Sequence, residues 1–133
     1  MLLKYTLTEY TLIYKTKEFA FLMKKEAMSD EDLINACKEM SKGLIDADLG
    51  GNVYKKRIAY SNKGKRGGYR TIVGAVIGNK YFFLYVFAKN KKTNISSKEK
   101  VALKELARMF ISFDEKRLCK LVNEGELIEV GDL

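Results

Sequence analysis

The order of hydrophobic and polar positions divides the chain into a helical start, a strand-rich middle and a helical end. Thr11-Leu-Ile-Tyr14 is a short apolar run of strand type, while residues 1–10 read as a loosely specified lead-in. Phe19, Leu22, Met23 and Ala27 then recur at helical spacing. Ser29 followed by Asp30, Glu31 and Asp32 is an N-cap with an acidic first turn. Behind it Leu33, Cys37, Met40 and Leu44 share one helical face, with Gly43 near the end. Residues 16–44 thus predict two helices packed as a hairpin.

After Gly50-Gly51-Asn52 the period falls from 3.6 to 2. Val53–Tyr60 alternates, with Tyr54, Ile58 and Tyr60 on one face and Lys55 and Arg57 on the other. A Gly- and Lys-rich loop, Ser61–Gly68, leads to a second strand at Tyr69–Ile77. The turn Gly78-Asn79 leads to a third at Tyr81–Ala88. Together they predict an antiparallel meander, in which strict alternation puts Tyr81, Phe83, Tyr85, Phe87 and Lys89 on one face. Ser96-Ser-Lys-Glu99 is a capping box for a helix with Val101, Leu106 and Phe110 inside. Ser112-Phe-Asp-Glu115 repeats the device for a helix through Leu118, Leu121 and Val122. Gly125 stops that helix, and Leu127–Val130 suits a short edge strand. The predicted fold is α+β: a small, mainly antiparallel sheet with the N-terminal helical hairpin on one face, and C-terminal helices. Residues 11–130 form one domain, with a helical extension at 96–125.

Charge adds what periodicity cannot. The chain has 133 residues and a net charge of +8. Leu49–Lys98 holds twelve Lys and Arg and no Asp or Glu, whereas the remaining residues hold thirteen basic and seventeen acidic side chains. One contiguous third therefore makes the whole excess, an electrostatic footprint for a polyanion such as RNA or DNA. A merely solvated basic face is the plainer account, but clustered like charges repel and need a ligand to neutralise them.

Composition narrows the chemistry. With 47% hydrophobic residues there is material for a core, and no proline argues against a linker-rich chain. Cys37 and Cys119 lie in helix-like segments and read as small buried hydrophobes in a reducing compartment. No signal peptide or membrane-length apolar run is present, which suits a cytoplasmic protein. Without histidine, zinc sites and His-based triads are excluded. A carboxylate-free basic stretch is ill suited to a two-metal nuclease, and no phosphate loop or dinucleotide fingerprint occurs. No metal and no cofactor is expected.

The candidate site follows from strand geometry. Lys55 and Arg57 leave one face of the first strand, Arg70 starts its neighbour and Lys89 ends the third. Strands about 4.8 Å apart let these four converge. Lys63, Lys65 and Arg66 would hang over them from the loop, where Gly67-Gly68 lets backbone N–H groups approach a phosphate. Tyr85 is the aromatic placed to meet a base, with Asn90 beyond it, while Phe83 belongs to the core. Metal-free cleavage by the neighbouring 2′-hydroxyl needs a base, an acid and charge stabilisation on the phosphate. Arg and Lys supply the last, and a lysine crowded by cations can serve as base.

The segments Leu44-Ile-Asp-Ala-Asp-Leu-Gly-Gly51, Val53-Tyr-Lys-Lys-Arg-Ile-Ala59, Gly64-Lys-Arg-Gly-Gly-Tyr-Arg-Thr71, Phe82–Asn90, Asn94-Ile95 and Gly125–Val130 together resemble the RelE/HigB-like toxins of type II toxin–antitoxin systems. The likeness spans residues 11–130 and is to the longer branch, with a helical C-terminal extension. It implies a compact α+β domain whose sheet face binds and cleaves messenger RNA, usually on the ribosome and without metal. A cognate antitoxin, of helix-turn-helix type, would hold it silent. It also implies catalytic positions at Lys55, Arg57, Arg70 and Lys89. Arg57 stands where a better-known member has a lysine base, no tyrosine falls at the acid position near Ile95, and the HigB histidines are absent. Two further readings stay open: a non-enzymatic inhibitor of the same fold, like the ParE branch that acts on DNA gyrase, and a basic RNA-binding module.

Overall fold

The computed structural model describes residues 10–59 and 68–131. In chain order the elements are β1 (Leu12–Thr16), α1 (Lys17–Lys24), α2 (Asp30–Ser41), β2 (Ala47–Gly50), β3 (Val53–Ile58), β4 (Tyr69–Val76), β5 (Lys80–Ala88), α3 (Ser97–Ser112), α4 (Glu115–Asn123) and β6 (Leu127–Glu129). They form one six-stranded sheet in the order β2-β3-β4-β5-β1-β6. β1 runs parallel to β5, and every other neighbouring pair is antiparallel. The meander β3-β4-β5 is thus present, β6 is the expected edge strand, and β2 is an additional edge strand that periodicity alone does not reveal.

Each helix begins at a side-chain cap. The Thr16 hydroxyl accepts from the Phe19 N–H at 3.0 Å, and Ser29 with Asp32 forms a reciprocal capping box. Ser96 and Glu99 form another. The cap of α4 is Asp114 rather than Ser112, because α3 continues through Ser112, whose hydroxyl bonds back to Met109 O. α2 stops at Ser41, so Leu44 lies past the helix and is 56% exposed instead of joining the Leu33/Cys37/Met40 stripe. Ala27 likewise lies beyond α1 and is exposed.

Alternation along the strands feeds two cores, one on each face. Phe19, Met23, Leu33, Cys37 and Met40 of α1 and α2 pack with Ile58, Val73, Tyr81 and Phe83. On the opposite face Ala107, Phe110, Leu118 and Leu121 of α3 and α4 pack with Val53, Ile72, Phe82 and Leu84. Gly74 allows α3 to press onto β4: a Cβ there would sit 2.8 Å from the Ala107 Cβ. The buried face of α3 carries Ala107 and Phe110, while Val101 points away and is 69% exposed. Cys37 is fully buried, which pushes its thiol well above the ordinary range, but Cys119 is exposed. Among the described residues no helix is long and apolar enough to cross a membrane.

One irregularity in β5 governs the site. Ile72 pairs with Tyr85 but Val73 pairs with Phe83, so Leu84 is an extra residue in the ladder. The bulge reverses side-chain parity. Tyr81 and Phe83 enter the α1/α2 core, whereas Tyr85 packs on the α3/α4 side. Tyr85 and Phe87 therefore do not share a face with Tyr81 and Phe83, as unbroken alternation would require.

Candidate nucleic-acid interface

The registers of β3, β4 and β5 set out a grid of two rows on the α3/α4 side of the sheet. One row is Lys55–Ile72–Tyr85, and the next is Arg57–Arg70–Phe87. Arg70 thus lies between Arg57 and Phe87, and diagonal to both Lys55 and Tyr85. Neighbouring strands are about 4.8 Å apart, so Lys55 and Tyr85 start about 10 Å from one another with Arg70 on the strand between them.

Local structure fixes each member. β3 is anchored from its opposite face: Lys56 is 6% exposed and its ammonium meets Glu39 of α2 at 2.7 Å. The Thr71 hydroxyl, also buried, donates to Lys56 O at 2.7 Å. Lys55 Nζ reaches Asn94 Oδ1 at 3.5 Å, and that oxygen also accepts the Ile95 N–H. The Arg57 side chain is exposed, while its backbone N–H donates to the Asp46 carboxylate. Gly68, at φ +127°, lets β4 begin hard against β3, since a Cβ would lie 2.7 Å from Ile58 O.

Arg70 is the distinctive member. It is half-buried, and its Nη1 is a buried donor with no hydrogen-bond partner among the described residues. Leaving such a donor unsatisfied costs about 1–3 kcal/mol. Directly opposite stands another guanidinium, Arg57, and like charges across a strand pair disfavour the free state further. A planar fork with an unused buried N–H beside a second cation suits a bidentate oxyanion.

On the β5 side, Tyr85 and Phe87 form a tilted ring pair with centroids 5.8 Å apart. Beyond β5 a tight turn folds back, with the N–H groups of Lys91 and Lys92 both donating to Ala88 O. It brings Lys92 Nζ to 3.3 Å from the Tyr85 hydroxyl and 2.6 Å from Glu99 Oε2. The Glu99 hydrogen bond, chiefly, holds the Lys92 ammonium above the usual lysine range, and Lys92 in turn holds Glu99 below the usual carboxylate range. Glu99 does this while also capping α3 through the Ser96 N–H at 2.7 Å.

The structure therefore brings together Lys55, Arg57, Arg70 and Tyr85 of the expected site. Lys89 and Asn90 are exposed in the turn after β5, at the end of the sheet where the Lys89 N–H donates to Gly68 O. Lys63, Lys65 and Arg66 lie outside the described residues. Other cations of the acid-free stretch serve the fold: Lys56 through Glu39, and Lys80 through Ile111 O at 3.1 Å. Lys92 and the site-facing role of Phe87 were missed from sequence. Glu99 reads there only as a cap, and its second contact depends on the turn that follows β5.

No protein of a curated collection matches this chain. Residues 11–130 match the family model described as RelE toxin of the RelE/RelB toxin–antitoxin system. With the six-stranded sheet, its N-terminal and C-terminal helices and this cationic grid in place, the chain belongs to the RelE toxin family of type II toxin–antitoxin systems.

Proposed function

We propose that the protein is an endoribonuclease that cuts messenger RNA at the ribosome without a metal, and that its cognate antitoxin silences it by covering the cationic grid. The observation that carries this reading is the buried Nη1 of Arg70, without a hydrogen-bond partner among the described residues and set between Arg57, Lys55 and Tyr85. A phosphodiester seated there supplies the missing acceptor. Arg70 forks two of its oxygens, and Arg57 adds the second charge that the pentacoordinate phosphorus demands.

Of the grid's three cations, Lys55 is the one whose side-chain type can serve as a base, because a guanidinium keeps its proton. Lys55 accordingly takes the proton of the attacking 2′-hydroxyl. Attack on phosphorus then expels the 5′ oxygen and leaves a 2′,3′-cyclic phosphate. Lys89 and Asn90 extend the contacts along the RNA, Lys63, Lys65 and Arg66, which lie outside the described residues, add RNA-binding charge, and Tyr85 faces the nucleotide. Support for metal independence comes from the donor set: among the described residues Glu99, at the grid's edge, is committed to Lys92 and to the α3 cap, and Asp46 accepts the Arg57 backbone N–H.

The test is to add purified protein to translating ribosomes and map the new RNA ends. Discrete cuts bearing cyclic phosphates are expected, and they should persist in chelator. Growth arrest without new RNA ends would instead favour a ParE-like, non-enzymatic inhibitor. RNA binding without arrest would leave a plain RNA-binding module.

A further inference from the structure

The proposal above leaves the departing 5′ oxygen without a proton donor. We propose that Tyr85 supplies that proton, and that Lys92, clamped by Glu99, is the positioning residue that aims the Tyr85 hydroxyl and stabilises its phenolate. The inference rests on the ribonuclease reading and assigns one further step within it.

Three observations converge. First, the Leu84 bulge turns Tyr85 onto the cationic side, in the same row as Lys55 and on the far side of Arg70 from it. In-line displacement needs its base and its acid on opposite sides of the phosphorus, and the row supplies one group on each side. Second, the direction of the hydrogen bond is fixed. An ammonium has donors and no acceptor, so Lys92 donates to the Tyr85 oxygen at 3.3 Å, and the phenolic proton must point elsewhere. Lys92 Nζ lies 5.3 Å from the ring centroid, farther than from the oxygen, so it sits at the hydroxyl end of the ring. Third, Glu99 holds Lys92 through both oxygens, at 2.8 and 2.6 Å, and is itself held by the Ser96 cap. The three ammonium hydrogens are thereby matched to three acceptors, which locks the cation against the oxygen where negative charge will develop.

The step balances. The 2′ oxygen bonds to phosphorus as its proton passes to Lys55. The P–O5′ bond breaks with its electron pair on the 5′ oxygen, and the Tyr85 proton moves to that oxygen. The phenolate that remains is stabilised by Lys92 and is reprotonated from water.

The experiment compares two RNAs on ribosomes: one natural, and one in which the 5′ bridging oxygen at the mapped cut is replaced by sulfur. A thiolate leaves without protonation, so a lost general acid no longer matters. Tyr85→Phe should cut the natural RNA about 10²–10⁴-fold more slowly. It should cut the sulfur-bridged RNA within about threefold of wild type. Lys92→Met should show the same selective loss at a smaller size, about tenfold, and Lys92→Arg should restore part of it.

An equal loss on both RNAs would make Tyr85 a stacking or structural residue and overturn the proposal, as would full activity of Tyr85→Phe on the natural RNA. A loss in Lys92→Met that sulfur fails to relieve would remove Lys92 from the scheme. Should the wild-type protein cut neither RNA, the ribonuclease reading itself fails and this step falls with it.

Discussion

Replacing Arg70 by methionine should separate function from stability in opposite directions. In the free protein Arg70 is a burden, because its Nη1 is buried with no partner among the described residues and Arg57 faces it across the strand pair. The first contributes about 1–3 kcal/mol of unmet desolvation. The second contributes about 0.2–1 kcal/mol of repulsion. Methionine keeps most of the apolar stem, so little packing is lost. Against this, Arg70 is half-buried and its other guanidinium nitrogens lose their hydration when removed. The net expectation is a Tm unchanged or raised by about 3–5 °C, which corresponds to about 1 kcal/mol for a chain of this size. Cleavage, by contrast, should fall about 10²–10³-fold, the cost of removing a preorganised donor from a developing anion. Arg70→Lys should recover only part, since a point charge cannot make the forked contact. Paired measurements of thermal unfolding and of cleavage on ribosomes, with growth arrest on induction as a cellular readout, decide it. A Tm lowered by several degrees would mean that the guanidinium holds the native fold together. Wild-type cleavage by Arg70→Met would refute its place at the phosphate.

RNA affinity should fall with salt at a slope of roughly −3 to −4 in log–log form if about five phosphates are neutralised, and Lys65 and Arg66 substituted together should flatten it; a salt-independent affinity would remove the electrostatic footprint. Gly74→Ala should lose about 1–3 kcal/mol by denaturant unfolding, because its methyl would meet Ala107 at 2.8 Å, and Ala107→Gly should restore part of the loss. Glu39→Ala should cost about 1–2 kcal/mol, discounted for the exposure of the glutamate, by stranding the buried Lys56 ammonium; the double change Glu39→Gln with Lys56→Met should recover most of it. Co-expressed antitoxin should protect Arg57 or Arg70 from solvent, as read by an arginine-modifying reagent, and full modification of both within the complex would defeat masking of the grid.

Much of this was legible from residue order because the signals were local. Ser29 and Ser96 capped the helices where their acidic partners stood three residues on, and period 2 found β3, β4 and β5. The cationic trio Lys55, Arg57 and Arg70 followed from strand alternation, and the register confirms that they share a face. What escaped depended on distant partners. β2 is four residues long and is defined by its pairing with β3 rather than by its own pattern. Leu44 and Val101 carry apolar side chains, but where a helix stops and which stripe it buries are decided by the sheet beneath. Lys92 looked like one more charge in a basic run, and its role depends on a turn that returns it to Tyr85 and Glu99.

The extra residue at Leu84 gives β5 two phases, and a strand with two phases can be edited out of phase. Inserting one residue between Leu84 and Tyr85, with the bulge kept, would put the rest of β5 out of phase while barely changing composition. Tyr85 and Phe87 would then turn toward α1 and α2, and Val86 and Ala88 would face the cationic grid. Substitution scanning would miss this vulnerability, because no single side chain at Leu84 carries the information; what matters is the count of residues. Upstream of Leu84 β5 answers to the hydrophobic core, and downstream it answers to the cationic grid as well. The two halves can accept changes separately so long as the number of residues joining them stays fixed.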